Sequence, residues 1–183
     1  MIFESIALIV VIALGGVVFL ALRKPDEFRV KREGLIDAPA SAVFPYLNNL
    51  EKWQIWSPWV AMEPDANYVF EGPIEGVGAV LFWEGKKTGK GKMTIIESVP
   101  DNLVRFRLEF FKPMQAVNTC DYTLSAQGDQ TRFDWEMYGP NNFKGKILSV
   151  FMNCEKMCGD QFEKGIASLK TIVEKAPSDQ KAA

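Results

Sequence analysis

Acid–base chemistry in this chain would have to come from carboxylates and tyrosines, because its 183 residues include no histidine. Histidine is the commonest general base near neutral pH and a frequent metal ligand, so its absence excludes Ser-His-Asp and Cys-His mechanisms. The remaining acid–base candidates are Glu84, Asp121, Tyr122, Asp134, Glu136 and Tyr138. None of them belongs to a catalytic signature, and we predict no catalytic residue.

Two of the three cysteines have a spacing that could chelate a metal ion. Cys154 and Cys158 are four residues apart, which places both thiols on one face of a helix. A structural zinc site needs four ligands, and no histidine can complete this pair, so the sequence favours core packing of both thiols. We therefore predict no metal and no cofactor. With Cys120 the cysteines form an odd, sparse set, which fits a reducing compartment.

Three of the five tryptophans lie within the segment "LEKWQIWSPWV", at positions 53, 56 and 59. Tryptophan carries a large apolar ring and a polar N–H, and it occurs both in buried cores and in the walls of ligand pockets. The residue types alone leave both interpretations open. Trp53, Trp56 and Trp59 either wall a cavity or fill the end of a core.

Charge gives no indication of a nucleic-acid partner. The chain has 21 basic and 23 acidic residues, and no basic face is apparent in the sequence. The local lysine cluster "EGKKTGKGKM" lacks the spacing of a phosphate-binding P-loop and leads into a strand pattern. We interpret it as a solvated hairpin tip, with contact to anionic lipid headgroups as the alternative.

The N-terminal segment has the composition of a membrane anchor. From position 6 to position 22 every residue is apolar or glycine, and a helix over residues 2–22 would be about as long as a bilayer core is thick. A cleaved signal peptide fits less well, because the preceding residues hold only an acidic charge. We predict a transmembrane anchor over residues 1–24. Five basic residues between positions 23 and 32 place the following domain in the cytoplasm.

Residues 25–176 read as one α+β domain. Period-2 alternation is clearest in "VRFRLEFF" and "TRFDWEMY", where one side of each strand is apolar and the other is charged. Strands of this kind with short connections predict an antiparallel meander with a single buried face. Two short helices, one capped by Ser41 and one over "LEKWQIW", follow the first strand. The predicted strands span residues 28–36, 68–71, 79–84, 92–97, 103–111, 117–125 and 131–138.

A long helix from about residue 142 to residue 175 is expected to cover the apolar face of the sheet. Its apolar positions recur at steps of three or four. Gly159 and Gly165 are the expected kink positions, and residues 177–183 form a polar tail. The apolar stripe consists of Phe143, Ile147, Phe151, Cys154, Cys158, Phe162, Ile166, Leu169 and Val173.

This order of elements, together with four stretches of sequence, resembles the START-like superfamily, specifically the SRPBCC family of polyketide cyclase/dehydrase-type lipid-binding proteins. The stretches are "IDAPASAVFPYLNNLEKWQIWSPW", "GVGAVLFWEGKKTGKGKMTIIESVPDNLVRFRLEFFKP", "TRFDWEMYGPNN" and "DQFEKGIASLK". The resemblance covers residues 28–175. It implies a helix-grip fold, in which a curved seven-stranded antiparallel sheet wraps a long C-terminal helix and leaves a cavity for an apolar ligand.

On that fold, the short helices close one end of the grip, and the tryptophan segment would cap the cavity mouth. The resemblance implies eight ligand-binding candidates: Trp53, Trp56, Trp59, Phe106, Phe110, Trp135, Phe151 and Cys158. The leading hypothesis is a membrane-anchored protein that binds a hydrophobic small molecule or lipid. A cyclase or dehydratase acting through a cavity carboxylate or tyrosine, and a protein-interaction module at the membrane, are the alternatives. The sequence identifies no protein partner.

Overall fold

Within residues 2–175, which the computed structural model describes, seven antiparallel strands form one sheet and six helices accompany it. The helices are α1 (Ile2–Leu22), α2 (Ala40–Asn48), α3 (Leu50–Trp56), α4 (Pro58–Met62), α5 (Phe143–Phe151) and α6 (Cys154–Lys175). The strands are β1 (Glu27–Ile36), β2 (Asn67–Glu71), β3 (Val80–Glu84), β4 (Lys90–Val99), β5 (Leu103–Lys112), β6 (Ala116–Gln127) and β7 (Gln130–Pro140). The predicted polar tail over residues 177–183 lies outside the described residues.

The strand order β1-β7-β6-β5-β4-β3-β2 is a meander in which the first strand closes against the last. Alternation along each strand separates the two faces of the sheet as the sequence predicts. On β5, Val104 and Phe106 are buried on the inner face, while the Arg105 guanidinium on the outer face donates to both carboxylate oxygens of Asp121, at 2.7 and 2.9 Å. The inner face is therefore apolar, and the α+β helix-grip architecture is confirmed.

Helix α6 lies on the inner face, and its glycines allow close contact with the sheet. Helix α6 runs through Gly159 and Gly165 without interruption. A Cβ atom at Gly159 would lie 2.1 Å from an Arg32 nitrogen, and one at Gly165 would lie 2.6 Å from the Trp135 ring. These positions lack a side chain because β1 and β7 occupy the space. Four apolar residues anchor the helix: Phe162, Ile166, Leu169 and Val173.

The predicted continuous helix over residues 142–175 is wrong, because the chain breaks between α5 and α6. Met152 is extended, with φ −127° and ψ 132°, and the Asn153 side chain accepts a hydrogen bond from Lys156 N at 3.0 Å. An asparagine in this role satisfies a free N–H of a new helical turn, so a second helix starts there. The break turns α5 away from the sheet, and Phe151 is 69% exposed.

The short helices after β1 differ from prediction in number and in their first cap. Helix α2 begins one residue before Ser41, with Pro39 at the cap position and no side-chain cap. The helix predicted over "LEKWQIW" is α3 and ends at Trp56, but the chain then resumes as a third short helix, α4. There Ser57 caps the helix and Pro58 occupies its first turn, where the missing N–H of proline is no disadvantage.

The N-terminal segment is helical over the range that the sequence predicts, and α1 packs against α5. The membrane crossing is not confirmed, because a helix that is both long and apolar enough to span a bilayer is not found in the described part of the chain.

Trp56 lies at the centre of the aromatic core and not at a cavity mouth. Only 1% of it is exposed, and its ring meets those of Trp53, Tyr122, Phe133 and Trp135 at centroid distances of 5.5–6.3 Å. Its indole nitrogen donates to a backbone carbonyl at 2.8 Å. The side chain is fully packed and its polar atom is satisfied, so its role is structural.

Truncation of Trp56 should therefore destabilise the fold strongly. We expect Trp56→Ala to lower the free energy of unfolding by about 3–5 kcal/mol in chemical denaturation, as deletion of a buried aromatic ring does. The control is Ile55→Ala on the same helix, where the side chain is 64% exposed and the change should stay within about 0.5 kcal/mol. Equal stability of the two variants would contradict the core assignment.

Candidate functional site

A cavity of about 210 Å³ lies between the inner face of the sheet and the first half of α6. It is at the end of the domain where the β3–β4 hairpin turns, and residues of that turn reach its wall. Nearly all of its wall is apolar or aromatic. The lining residues are Trp53, Trp59, Met62, Tyr68, Leu81, Trp83, Lys87, Thr88, Met93, Phe106, Leu108, Phe110, Cys120, Tyr122, Trp135, Met137, Cys158 and Phe162.

The cavity exists because α6 carries a small side chain where it passes over this end of the sheet. Cys158 lines the cavity there, whereas larger apolar residues of α6 fill the other end. Between the two, the Phe162 ring stacks on Trp135 with a centroid distance of 4.1 Å and an interplanar angle of 10°. Burial raises the pKa of the Cys158 thiol to about 11, with smaller contributions from Cys154 and Glu155. The thiol is therefore neutral and acts as part of an apolar wall.

One polar pair interrupts the apolar wall. The Trp53 indole nitrogen donates to the Tyr122 hydroxyl at 3.0 Å, and both residues are buried. Burial raises the pKa of Tyr122, as does the nearby Cys120 thiol. Burial also raises the pKa of Cys120 itself. Both groups therefore remain protonated across the physiological range.

The other acid–base candidates lie away from the cavity. Asp121 forms the outer-face pair with Arg105, and Glu84 pairs with Lys90 on the β3–β4 hairpin at 2.8 Å. Asp134 and Glu136 contact basic residues of β1, on the solvent side that alternation predicts. Among the lining residues that the structure describes there is no carboxylate and no arginine. Residues 2–175 also contain no group of three or more side chains arranged to hold a metal ion.

The structure brings most of the ligand-binding candidates together. Six of them line the cavity: Trp53, Trp59, Phe106, Phe110, Trp135 and Cys158. Trp56 lies behind the wall in the core, and Phe151 is exposed on α5 beside the linker to β1. Ligand contact by the six remains a prediction.

Several lining residues were not among the predicted ligand-binding residues, although the alternation could have indicated them. Cys120 and Tyr122 share the inner side of β6, and Met137 follows Trp135 on the inner side of β7. Trp83 has no such signal, because its place in the wall depends on the turn after β3. The ring edge of Trp83 meets Phe110 at a centroid distance of 5.7 Å, and its indole nitrogen donates to Thr88 O at 3.2 Å.

The β3–β4 turn is held over the cavity by one carboxylate. Glu63, directly after α4, accepts hydrogen bonds from the backbone nitrogens of Lys86, Lys87 and Thr88 and from the Thr88 hydroxyl, at 2.7–2.9 Å. These bonds, above all those from Thr88, lower the pKa of Glu63 from 4.5 to about 2. Because Lys87 and Thr88 line the cavity, Glu63 fixes the position of part of its wall.

Comparisons with known proteins agree with this geometry. The family model described as "Polyketide cyclase / dehydrase and lipid transport" matches residues 27–174. A comparison with curated proteins finds no significant match.

Three similar solved structures are protein MLL2253 from Mesorhizobium loti, protein CV1439 from Chromobacterium violaceum and Aha1 from Colwellia psychrerythraea, the last solved as a dimer. They are 10%, 15% and 12% identical, with TM-scores of 0.61, 0.59 and 0.58. The matches cover 82%, 84% and 81% of this chain and 99%, 100% and 97% of the other chains. Likeness at these identities shows the fold alone.

The hydrogen bonds to Glu63 predict an unusual titration of the β3–β4 turn. They favour the ionised carboxylate, so their stabilisation is complete above about pH 4.5 and is lost as the pH falls through about 2. The amide resonances of residues 86–88 should therefore stay in place between pH 6 and about pH 3.5. If these amide resonances shifted with a midpoint near pH 4.5, the role of Glu63 in holding the turn would be contradicted.

Substitution should loosen the same turn at constant pH. Glu63→Gln is expected to speed hydrogen exchange at residues 86–88, because an amide accepts these bonds more weakly than a carboxylate. The control is Glu51→Gln, which removes a charge from an exposed side chain of α3 and should leave exchange at the turn unchanged.

Proposed function

We propose that this chain, which belongs to the polyketide cyclase / dehydrase and lipid transport family, binds a hydrophobic small molecule or lipid between its sheet and α6. The cavity of about 210 Å³ with an apolar wall is the observation that carries this proposal. Apolar cavities of about 150 Å³ stay dry and take up benzene. This cavity therefore has room for a ring system or a segment of an acyl chain.

Binding without catalysis fits the cavity better than a cyclase or dehydratase does. Such an enzyme would need an acid–base group and a charged partner for it inside the cavity. Tyr122 supplies a protonated hydroxyl, but in the described part of the chain no arginine or carboxylate lines the wall beside it. A buried tyrosine whose pKa is raised does not serve as a base near neutral pH.

Attachment to a membrane through α1 is part of the same proposal. Ile9 and Ile12 are each 65% exposed, and Val11, Leu14 and Phe19 are exposed beside them. An exposed apolar surface of this kind is typical of a contact with lipid or protein. The linker between α1 and β1 is four residues long, so a membrane-bound α1 would hold the cavity close to lipid. The basic residues after α1 favour a cytoplasmic location for the domain.

Filling the cavity should abolish ligand uptake. Cys158→Phe replaces a small wall residue of α6 by a ring that occupies the cavity. We expect the affinity for the neutral fluorescent probe N-phenyl-1-naphthylamine to fall at least tenfold, while thermal stability is kept or raised. Cys154→Phe, one turn earlier on α6 and outside the cavity wall, is the matched control. Unchanged probe affinity in Cys158→Phe would place the probe elsewhere and contradict the proposal.

Charges on the exposed side of α1 should release the protein from membranes. The full chain is expected to sediment with the membrane fraction, and the double variant Ile9→Glu, Ile12→Glu to shift towards the supernatant, because each carboxylate is costly to bury in lipid. Ile55→Glu carries the same change on an exposed isoleucine of α3 and should not alter the distribution. A full chain that stays in the supernatant would contradict attachment.

Alkaline-phosphatase activity of a reporter fused after residue 40 would contradict the cytoplasmic location.

A further inference from the structure

The Tyr122 hydroxyl has a hydrogen-bonding capacity that the described protein atoms use only in part. An indole N–H can only donate, so in the bond between Trp53 and Tyr122 the phenol oxygen is the acceptor. The phenol proton must therefore point elsewhere. Among residues 2–175, no oxygen or nitrogen atom accepts it.

The neighbouring side chain on the inner side of β6 is Cys120, two positions before Tyr122. Burial raises the pKa of its thiol, so Cys120 stays protonated. A thiol sulfur is only a weak acceptor. The phenol proton of Tyr122 therefore has no strong acceptor among the described residues.

Other polar groups of the wall are already committed to strong acceptors. The Trp83 indole donates to a backbone carbonyl at 3.2 Å, the Tyr68 hydroxyl donates to Glu63 O at 3.4 Å, and the Thr88 hydroxyl donates to the Glu63 carboxylate at 2.9 Å. Tyr122 differs from them because a stronger acceptor arriving with a ligand would improve its hydrogen bonding at little cost.

We propose that Tyr122 selects ligands that carry one neutral hydrogen-bond acceptor, such as a ketone or ester oxygen, on an otherwise apolar body. The ligand oxygen accepts the phenol proton, while the Trp53 N–H holds the phenol in position. Pure hydrocarbons leave the phenol proton without a strong acceptor. Carboxylates are disfavoured, because a buried anion needs a cation beside it and the one lysine of the described wall, Lys87, is exposed at the turn. This inference rests on the proposed function.

Two probes of the same shape test the proposal: 2-acetylnaphthalene, which has a ketone oxygen, and 2-ethylnaphthalene, which has none. The hydration of each probe is the same in every titration, so comparison between variants isolates the contribution of the protein. Tyr122→Phe should weaken binding of the ketone about three- to tenfold, the usual range for one net hydrogen bond, and leave the ethyl analogue unchanged. Tyr138→Phe is the matched control, because its hydroxyl donates to Asp121 at 3.4 Å on the outer face of the sheet.

A second variant keeps the proposal testable if Tyr122→Phe fails to fold. Trp53→Phe removes the N–H that holds the phenol oxygen in position, so the ketone should lose affinity relative to the ethyl analogue.

The possible failures are distinguishable. If both probes bind the wild type, and the ratio of their affinities is the same in Tyr122→Phe as in the wild type, the selection by Tyr122 is wrong while the cavity proposal stands. If Tyr122→Phe does not fold, an unchanged ratio in Trp53→Phe contradicts the selection in the same way. If neither probe binds the wild type, the proposed function and this inference fail together.

Discussion

The stack of Phe162 on Trp135 is the contact on which the rest of the domain depends. With its ring centroids 4.1 Å apart, it fixes α6 against the centre of the inner face and divides the space beneath the helix. On one side Ile166, Leu169 and Val173 fill the core; on the other the small side chain of Cys158 leaves it open. A helix with large side chains along its whole length would give a more stable core and no cavity. The small residue at position 158 therefore reduces the packing of the core and leaves a cavity.

An open cavity needs walls that do not collapse, and the structure holds them from outside. Arg105 joins β5 to β6 through Asp121 on the outer face, and Glu63 fixes the β3–β4 turn through its backbone nitrogens. Arg32 lies against Gly159 and donates to Glu155 and Glu163 of α6, each at 2.8 Å, which ties the helix to the edge strand β1. Polar contacts on the outside thus maintain an apolar space within.

The fold was largely predictable from the sequence because alternation along β5 and β7 and the three-and-four spacing of α6 are local signals that tertiary packing reinforced. The break before α6 was not, because Phe151 and Cys154 continue the apolar spacing across it and only the Asn153 cap marks a new start. Gly159 and Gly165 resemble flexible points in a sequence, whereas their function depends on β1 and β7, which are distant in the chain. The sequence also could not distinguish Trp56 from Trp53 and Trp59, because the distant residues that surround each ring decide its role. Trp56 lies in the core, whereas Trp53 and Trp59 line the cavity.

Native mass spectrometry of the full chain, purified from its native source in mild detergent and followed by solvent extraction, tests the central claim most directly. The account predicts a protein mass with one additional small molecule of discrete mass, which solvent releases as a neutral, largely apolar compound and which is absent from Cys158→Phe. A protein that carries nothing in every preparation, or that carries the same compound equally in Cys158→Phe, would contradict the claim that the space beside α6 is a ligand site.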